Sequence, residues 1–248
     1  MKRKIISLIV ILVVLLGVVA CSSGEESLDS IQEKIIKDNL EDWFDGQELQ
    51  KYKGSNRDYD WYIDQQNTGE YASNNCGPSS AVMVMKWLDE DYSESAEEAR
   101  QEHLINGGWW YTSIISKYFE DRGVKPNYLL LQSNDVDKSI EDLKKVIDED
   151  AIALICINMD DISMEIGSVK HTDRFYSYGD GHFLVIKGYV EIDNKSYFEV
   201  YDPNSWGRTY KEGELMGKDR YYRAEEIVNS ALGWYEFALV IRDSDATN

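Results

Sequence analysis

The chain is short of cysteine, histidine and basic residues. Three Cys in 248 residues cannot build a disulfide scaffold. Three His allow one modest His-rich metal site at most. Lys and Arg number 26 against 46 Asp and Glu, a formal net charge of −20. Wrapping nucleic acid needs a concentrated cationic surface, so no nucleic-acid partner is expected. No glycine-rich nucleotide loop and no internal repeat appears. The acidic pairs Asp58/Asp60 and Asp160-Asp161 fall on expected loops and read as solvated, so neither a metal nor a cofactor is expected. What is present is apolar: 43% hydrophobic and 12% aromatic residues rule out a disordered acidic tail.

The N-terminus reads as an export signal. Lys2, Arg3 and Lys4 precede an apolar run from Ile5 to Ala20. About 16 residues fall short of the roughly 20 that a spanning helix needs. The run closes on Val18-Val19-Ala20-Cys21, which resembles the lipobox of bacterial lipoproteins. That resemblance implies cleavage after Ala20, lipidation of Cys21 and an extracytoplasmic, membrane-anchored location. Residues 1–20 are then the signal peptide. Losing its three positive charges takes the net charge from −20 to −23. Anionic head groups repel such a body, so lipid rather than charge would hold it at the membrane. Residues 21–44 read as a lipidated tether with a peripheral helix near 31–40, and residues 45–248 as one monomeric globular unit.

Within that unit, 45–75 reads as loop with short extended pieces. A helix opens at Cys76, with Pro78 tolerated in its first turn and Ala81, Val82, Met85 and Leu88 on one face. Ser95 and Glu98 form a capping-box pattern for a second helix to about Leu104. Helices follow over Thr112–Arg122 and Asp137–Ile147. Strands are expected at 151–157, His182–Val190, Tyr197–Tyr201 and Tyr235–Ile241, with an Asp193-Asn194 hairpin turn and a short helix at Ala224–Ser230. Helices first and an antiparallel sheet later define an α+β class.

Three segments carry candidate chemistry. Asn74-Asn75-Cys76-Gly77-Pro78-Ser79-Ser80 puts a thiol at a helix start, where unpaired N–H groups and the helix dipole favour the thiolate. Gly77 leaves room for a substrate carbonyl, and the Cys76 N–H can face an oxyanion. A buried Cys opening a core helix fits the same residues. Gly181-His182 starts an apolar strand, where the imidazole can act as a base or stand as an ordinary surface His. Tyr201-Asp202-Pro203-Asn204 ends the next strand. Asp202 can accept a His182 Nδ1–H, Asn204 can do the same through its amide oxygen, and a plain Asp-Pro turn fits too. Cys156 lies in an apolar run and reads as a small core hydrophobe, unpaired with Cys76. His103 and His171 lie in polar surroundings. Gly107-Gly108-Trp109-Trp110-Tyr111 reads as a binding lip or as core.

Together, Asn-Cys-Gly-Pro-Ser-Ser, Gly-His-Phe-Leu-Val-Ile-Lys-Gly-Tyr and Tyr-Asp-Pro resemble cysteine peptidase family thirty-nine and its stand-alone relatives. These are papain-like enzymes related to the bacteriocin-leader peptidases. The resemblance spans roughly 60–242. It implies a papain-like α+β fold, with N-terminal helices and a nucleophile-bearing helix start packed on a C-terminal antiparallel sheet. It implies Cys76 as nucleophile, His182 as base, Asp202 as orienting residue and a peptide or protein as substrate. It also implies an oxyanion Gln upstream of the Cys. Glu70 occupies the spacing common in papain-like enzymes and cannot donate when ionised. Gln65 is the choice, with Gln66 as alternate. An acyltransferase or amidase on the same thiol, and a non-catalytic binding lipoprotein on the same fold, are the rival readings.

Overall fold

The computed structural model describes residues 39–165 and 170–245. The signal, Cys21 and most of the expected 31–40 helix lie outside them. Among the described residues seven strands form one antiparallel sheet: β1 (Leu49–Gly54), β2 (Asn127–Leu130), β3 (Ile152–Asn158), β4 (Gly181–Ile192), β5 (Lys195–Tyr201), β6 (Arg220–Arg223) and β7 (Phe237–Ile241). The order is β2-β7-β3-β4-β5-β6. β1 pairs with the far half of β4, from Gly188 to Ile192, beyond the stretch that pairs with β3. Five α-helices lie wholly within the described residues: α1 (Cys76–Leu88), α2 (Ala96–His103), α3 (Thr112–Asp121), α4 (Val136–Asp148) and α5 (Ala224–Leu232).

The α+β class and the antiparallel sheet are as expected, but the layers differ. Helices cover both faces of the sheet. The core on the α1–α3 side includes Leu154, Cys156, Phe183 and Val185 from the strands. The opposite core joins α4 and α5 to Ile155, Ile157, Leu184 and Ile186. α1 is wrapped rather than amphipathic: Cys76 to Met85 are all buried, because the sheet lies on one side and α2 and α3 on others. The α2 capping box forms as expected, with Glu98 N donating to Ser95 Oγ at 3.2 Å and Ser95 N donating to Glu98 Oε2 at 2.8 Å. Leu40, at the end of the expected peripheral helix, and Phe44, in the segment read as tether, are buried against Val190, Ile192, Tyr197 and Tyr221.

The β4–β5 hairpin sets the site. Asp193 and Asn194 both adopt left-handed φ, at 51° and 58°, the conformation of a tight type I′ turn. From that turn the register runs Ile192↔Lys195 to Gly188↔Glu199 and then slips at Lys187, so that Ile186 faces Val200. The slip is decisive for parity. Without it Asp202 would fall opposite Val185, on the sheet face that His182 does not occupy. With it Asp202 falls opposite Leu184, on the same face as His182. Gly188 is needed here, because a Cβ would lie 2.9 Å from the Lys53 carbonyl.

The bulged residue is held by charge. Lys187 is 1% exposed, and its Nζ reaches Glu199 Oε1 and Asp219 Oδ1, both at 2.7 Å, and Asn56 Oδ1 at 2.6 Å. Burial raises the Glu199 carboxyl above the ordinary range, and Lys187 opposes that rise. Removing the ammonium would leave two carboxylates facing each other. Lys187→Met is therefore expected to cost about 3–5 kcal/mol of stability. Urea unfolding followed by circular dichroism checks this, and an unchanged midpoint would contradict it.

Candidate active site

Cys76, His182 and Asp202 come from three elements that meet at one end of the sheet. Cys76 opens α1, His182 is the second residue of β4, and Asp202 directly follows β5. His182 Nε2 lies 2.8 Å from Asp202 Oδ1. The other ring nitrogen, Nδ1, is not taken by Asp202, and the ring and the thiol line one cavity and act on each other's charge. This reverses the sequence expectation, which placed the carboxylate on Nδ1.

Asp202 is completely buried and fully bonded. Oδ1 accepts from His182 and from Asn204 N at 2.9 Å. Oδ2 accepts from Tyr176 Oη at 2.9 Å and Tyr222 Oη at 2.6 Å. Burial pushes its carboxyl up, but the His182 charge, the hydrogen bond to His182 and the tyrosine donor outweigh it and hold Asp202 below the usual carboxylate range. Asn204 thus supports Asp202 through its backbone N–H.

The electrostatics favour an ion pair. Burial acts on His182 to lower its pKa, yet Asp202 and Cys76 push it up to about 10. Burial acts on Cys76 to raise its pKa, yet the His182 hydrogen bond and charge and the N–H groups of Phe183 and Gly77 bring it below the ordinary thiol value. Asn75 precedes α1 but does not cap it with its side chain, so the Gly77 N–H stays free for the sulfur. The thiolate–imidazolium state therefore spans the interval between the two titrations.

Gln65 is buried, and its backbone N–H donates to Pro203 O at 2.8 Å, which ties it to the segment following Asp202. Its Nε2 donates to Ala72 O at 3.2 Å. Gln65, Cys76, His182 and Asn204 line one cavity of about 510 Å³, together with Trp109, Trp206 and Arg208. Gln66 is exposed and does not line it. A second cavity of about 210 Å³ opens on the other side of Cys76, lined by Trp109, Tyr111, Cys156 and Trp234.

Several sequence expectations change. Gly77 does not leave space for substrate, because a Cβ there would lie 2.7 Å from Trp110 Cβ. The Gly-Gly-Trp-Trp-Tyr segment is both lip and core: Trp110 is buried, while Trp109 and Tyr111 are exposed. Cys76 and Cys156 are both free and buried, and burial raises the Cys156 thiol far above that of Cys76. His171 is not in solvent but stacked between Trp43 and Tyr210, at 3.8 Å from each ring, with its pKa lowered by burial to about 4. Among the described residues no group of three or more His, Cys, Asp or Glu could hold a metal ion.

A thiol at a helix start facing a carboxylate-bound imidazole on an antiparallel sheet is an arrangement of the cysteine-peptidase class. Sequence comparison makes this more specific: the profile of the Peptidase_C39 like family matches residues 59–227, and the chain belongs to that family. The fold is also similar to the crystal structure of a candidate C39-like peptidase from Bacillus anthracis. That match has a TM-score of 0.50 and 15% identity, and covers 77% of this chain and 98% of the other. No curated protein matches the chain.

Removing the carboxylate should dismantle the ion pair from its far end. In Asp202→Ala the His182 pKa is expected to fall and the Cys76 thiol to rise. Thiolate absorbance near 240 nm, followed against pH, reads this. An acid limb in the variant that coincides with that of the wild type would contradict it.

Proposed function

We propose that this chain is a lipid-anchored, extracytoplasmic cysteine peptidase. The observation that carries the catalytic reading is the His182–Asp202 hydrogen bond at 2.8 Å with Cys76 and His182 lining the same open cavity. In this reading Cys76 Sγ attacks the peptide carbonyl carbon. The carbonyl oxygen gains charge, stabilised by the Cys76 N–H and Gln65 Nε2. Gln65 Nε2 has a second hydrogen for this role besides the one given to Ala72. His182 Nδ1–H protonates the departing amine, and the acyl group stays on sulfur. Nδ1 then takes a proton from water, which attacks the acyl carbon and frees the thiolate. Asp202 holds the ring and balances the imidazolium throughout.

Cys76→Ala is expected to abolish cleavage in a peptide-library screen that the wild type passes. Wild-type Cys76 is expected to react with iodoacetamide at pH 6 faster than a free thiol does. Equal rates would end the activated-nucleophile claim. Gln65→Ala should lower kcat by about 10²–10³ if its amide faces the oxyanion.

The anchor reading rests on the basic start, the apolar run and Val18-Val19-Ala20-Cys21. Among the described residues no helix is long and apolar enough to cross a membrane. Metabolic labelling with a radioactive fatty acid should mark the wild type and leave Cys21→Ser unmarked. Equal labelling of both would refute lipidation at Cys21.

A further inference from the structure

Arg100 lies in Ala-Glu-Glu-Ala-Arg-Gln-Glu-His, a stretch that reads as a solvated helix face. It is nevertheless 2% exposed. Its Nε donates to Asn75 Oδ1, Nη2 to Asn74 O at 2.9 Å, and Nη1 to Leu104 O at 3.5 Å. The guanidinium thus grips the two residues immediately before Cys76.

The contact continues through Asn75. This side chain is fully buried, and with Oδ1 taken by Arg100 its Nδ2 donates to Thr68 O at 2.8 Å and Thr68 Oγ1 at 2.9 Å. Thr68 Oγ1 donates in turn to Gln65 O at 2.6 Å. Gln65 N reaches Pro203 O. One buried line therefore runs from α2 past the start of α1 to Gln65 and the segment after Asp202.

We infer that Arg100 is a positioning residue for the thiol: by engaging Asn74 and Asn75 it locks the α1 start to Gln65 and keeps the Asn75 side chain from capping the helix. The second effect is chemical. Asn is a strong N-cap residue whose side-chain oxygen normally accepts from N2 or N3. Here N3 is Pro78, which has no N–H, and the Asn75 oxygen is occupied by Arg100, so the N2 N–H of Gly77 remains directed at sulfur. The buried cation also lies close enough to interact with the Cys76 charge. The other titratable or charged groups around the sulfur include His182 from β4, Cys156 from β3, Tyr178 and Asp180 from the loop before β4, and Arg208 after β5. Around Arg100 stand Glu70 and Tyr71 from the loop and Glu97 from α2.

The catalytic meaning of this assignment rests on the peptidase reading, whereas its geometry does not. The test uses the full-length protein. Iodoacetamide alkylation of Cys76 is followed by mass spectrometry across pH, beside peptide kinetics and thermal melting. Arg100→Met should slow alkylation at pH 6 about tenfold, an upward shift of about one unit in the apparent thiol pKa. Arg100→Lys keeps a charge but not the fork, and should lower kcat with KM unchanged and the alkylation limb nearly in place. Thr68→Val, which carries no charge change, should lower kcat and leave the limb unmoved.

The two readings fail differently. A wild type whose Cys76 alkylates no faster than a free thiol ends the peptidase reading. A reactive wild type matched by Arg100→Met in limb and rate, with only its melting temperature lowered, overturns the positioning role. If Arg100→Met does not fold, wild-type kcat in both Arg100→Lys and Thr68→Val overturns it equally.

Discussion

Asp202 accepts four hydrogen bonds inside the protein and none of its surface meets solvent. A buried carboxylate would ordinarily gain a proton, and this one is kept charged because every lone-pair direction is met. Its charge supports the His182 imidazolium, which in turn supports the Cys76 thiolate. Each group is displaced from its usual titration by the next, so the state at sulfur depends on a carboxylate on the far side of the ring. Tyr176 and Tyr222 matter for the same reason: they keep Oδ2 satisfied so that Oδ1 is free to face the imidazole.

That carboxylate reaches the ring only because of a register slip. Lys187 inserts one extra residue into β4, and the slip changes which face of the sheet Asp202 shares. The buried ammonium with Glu199 and Asp219 is a costly feature for a core, since two charges of one sign must share a single partner. Its location at the bulge couples it to the site. A charged cluster away from the reacting atoms, on the other half of the strand, secures the parity that joins base and carboxylate.

Much of this could be read from the residues. Cys76 before Gly and Pro marks a helix start, Gly181 before His182 marks a strand entry, and Asn-rich 74–75 marks the junction between loop and helix. Those signals are local. The missed strands are not: β1 is Leu-Gln-Lys-Tyr-Lys-Gly, polar at most positions, and is a strand because β4 extends past β3 and leaves an edge to pair. β2 and β6 are each four residues long and are recruited by β7 and β5. The ring nitrogen facing Asp202 was misread because it depends on how Cys76 and Asp202, from separate elements, are placed around the ring, which no short window reveals. Arg100 was missed because four acidic or amide neighbours and a His disguise its helix as solvated. Its burial arises from tertiary packing of α2 against α1 and the preceding loop.

The central claim is that His182 is an imidazolium paired with a thiolate at pH values where a free imidazole is neutral. Nitrogen-15 NMR of the ring tests it most directly, since the chain has three His and His182→Gln identifies the signal by its loss. The account predicts that at pH 8 the His182 ring carries protons on both nitrogens, losing one only as the pH approaches about 10. A His182 ring that is singly protonated at pH 8 would contradict it.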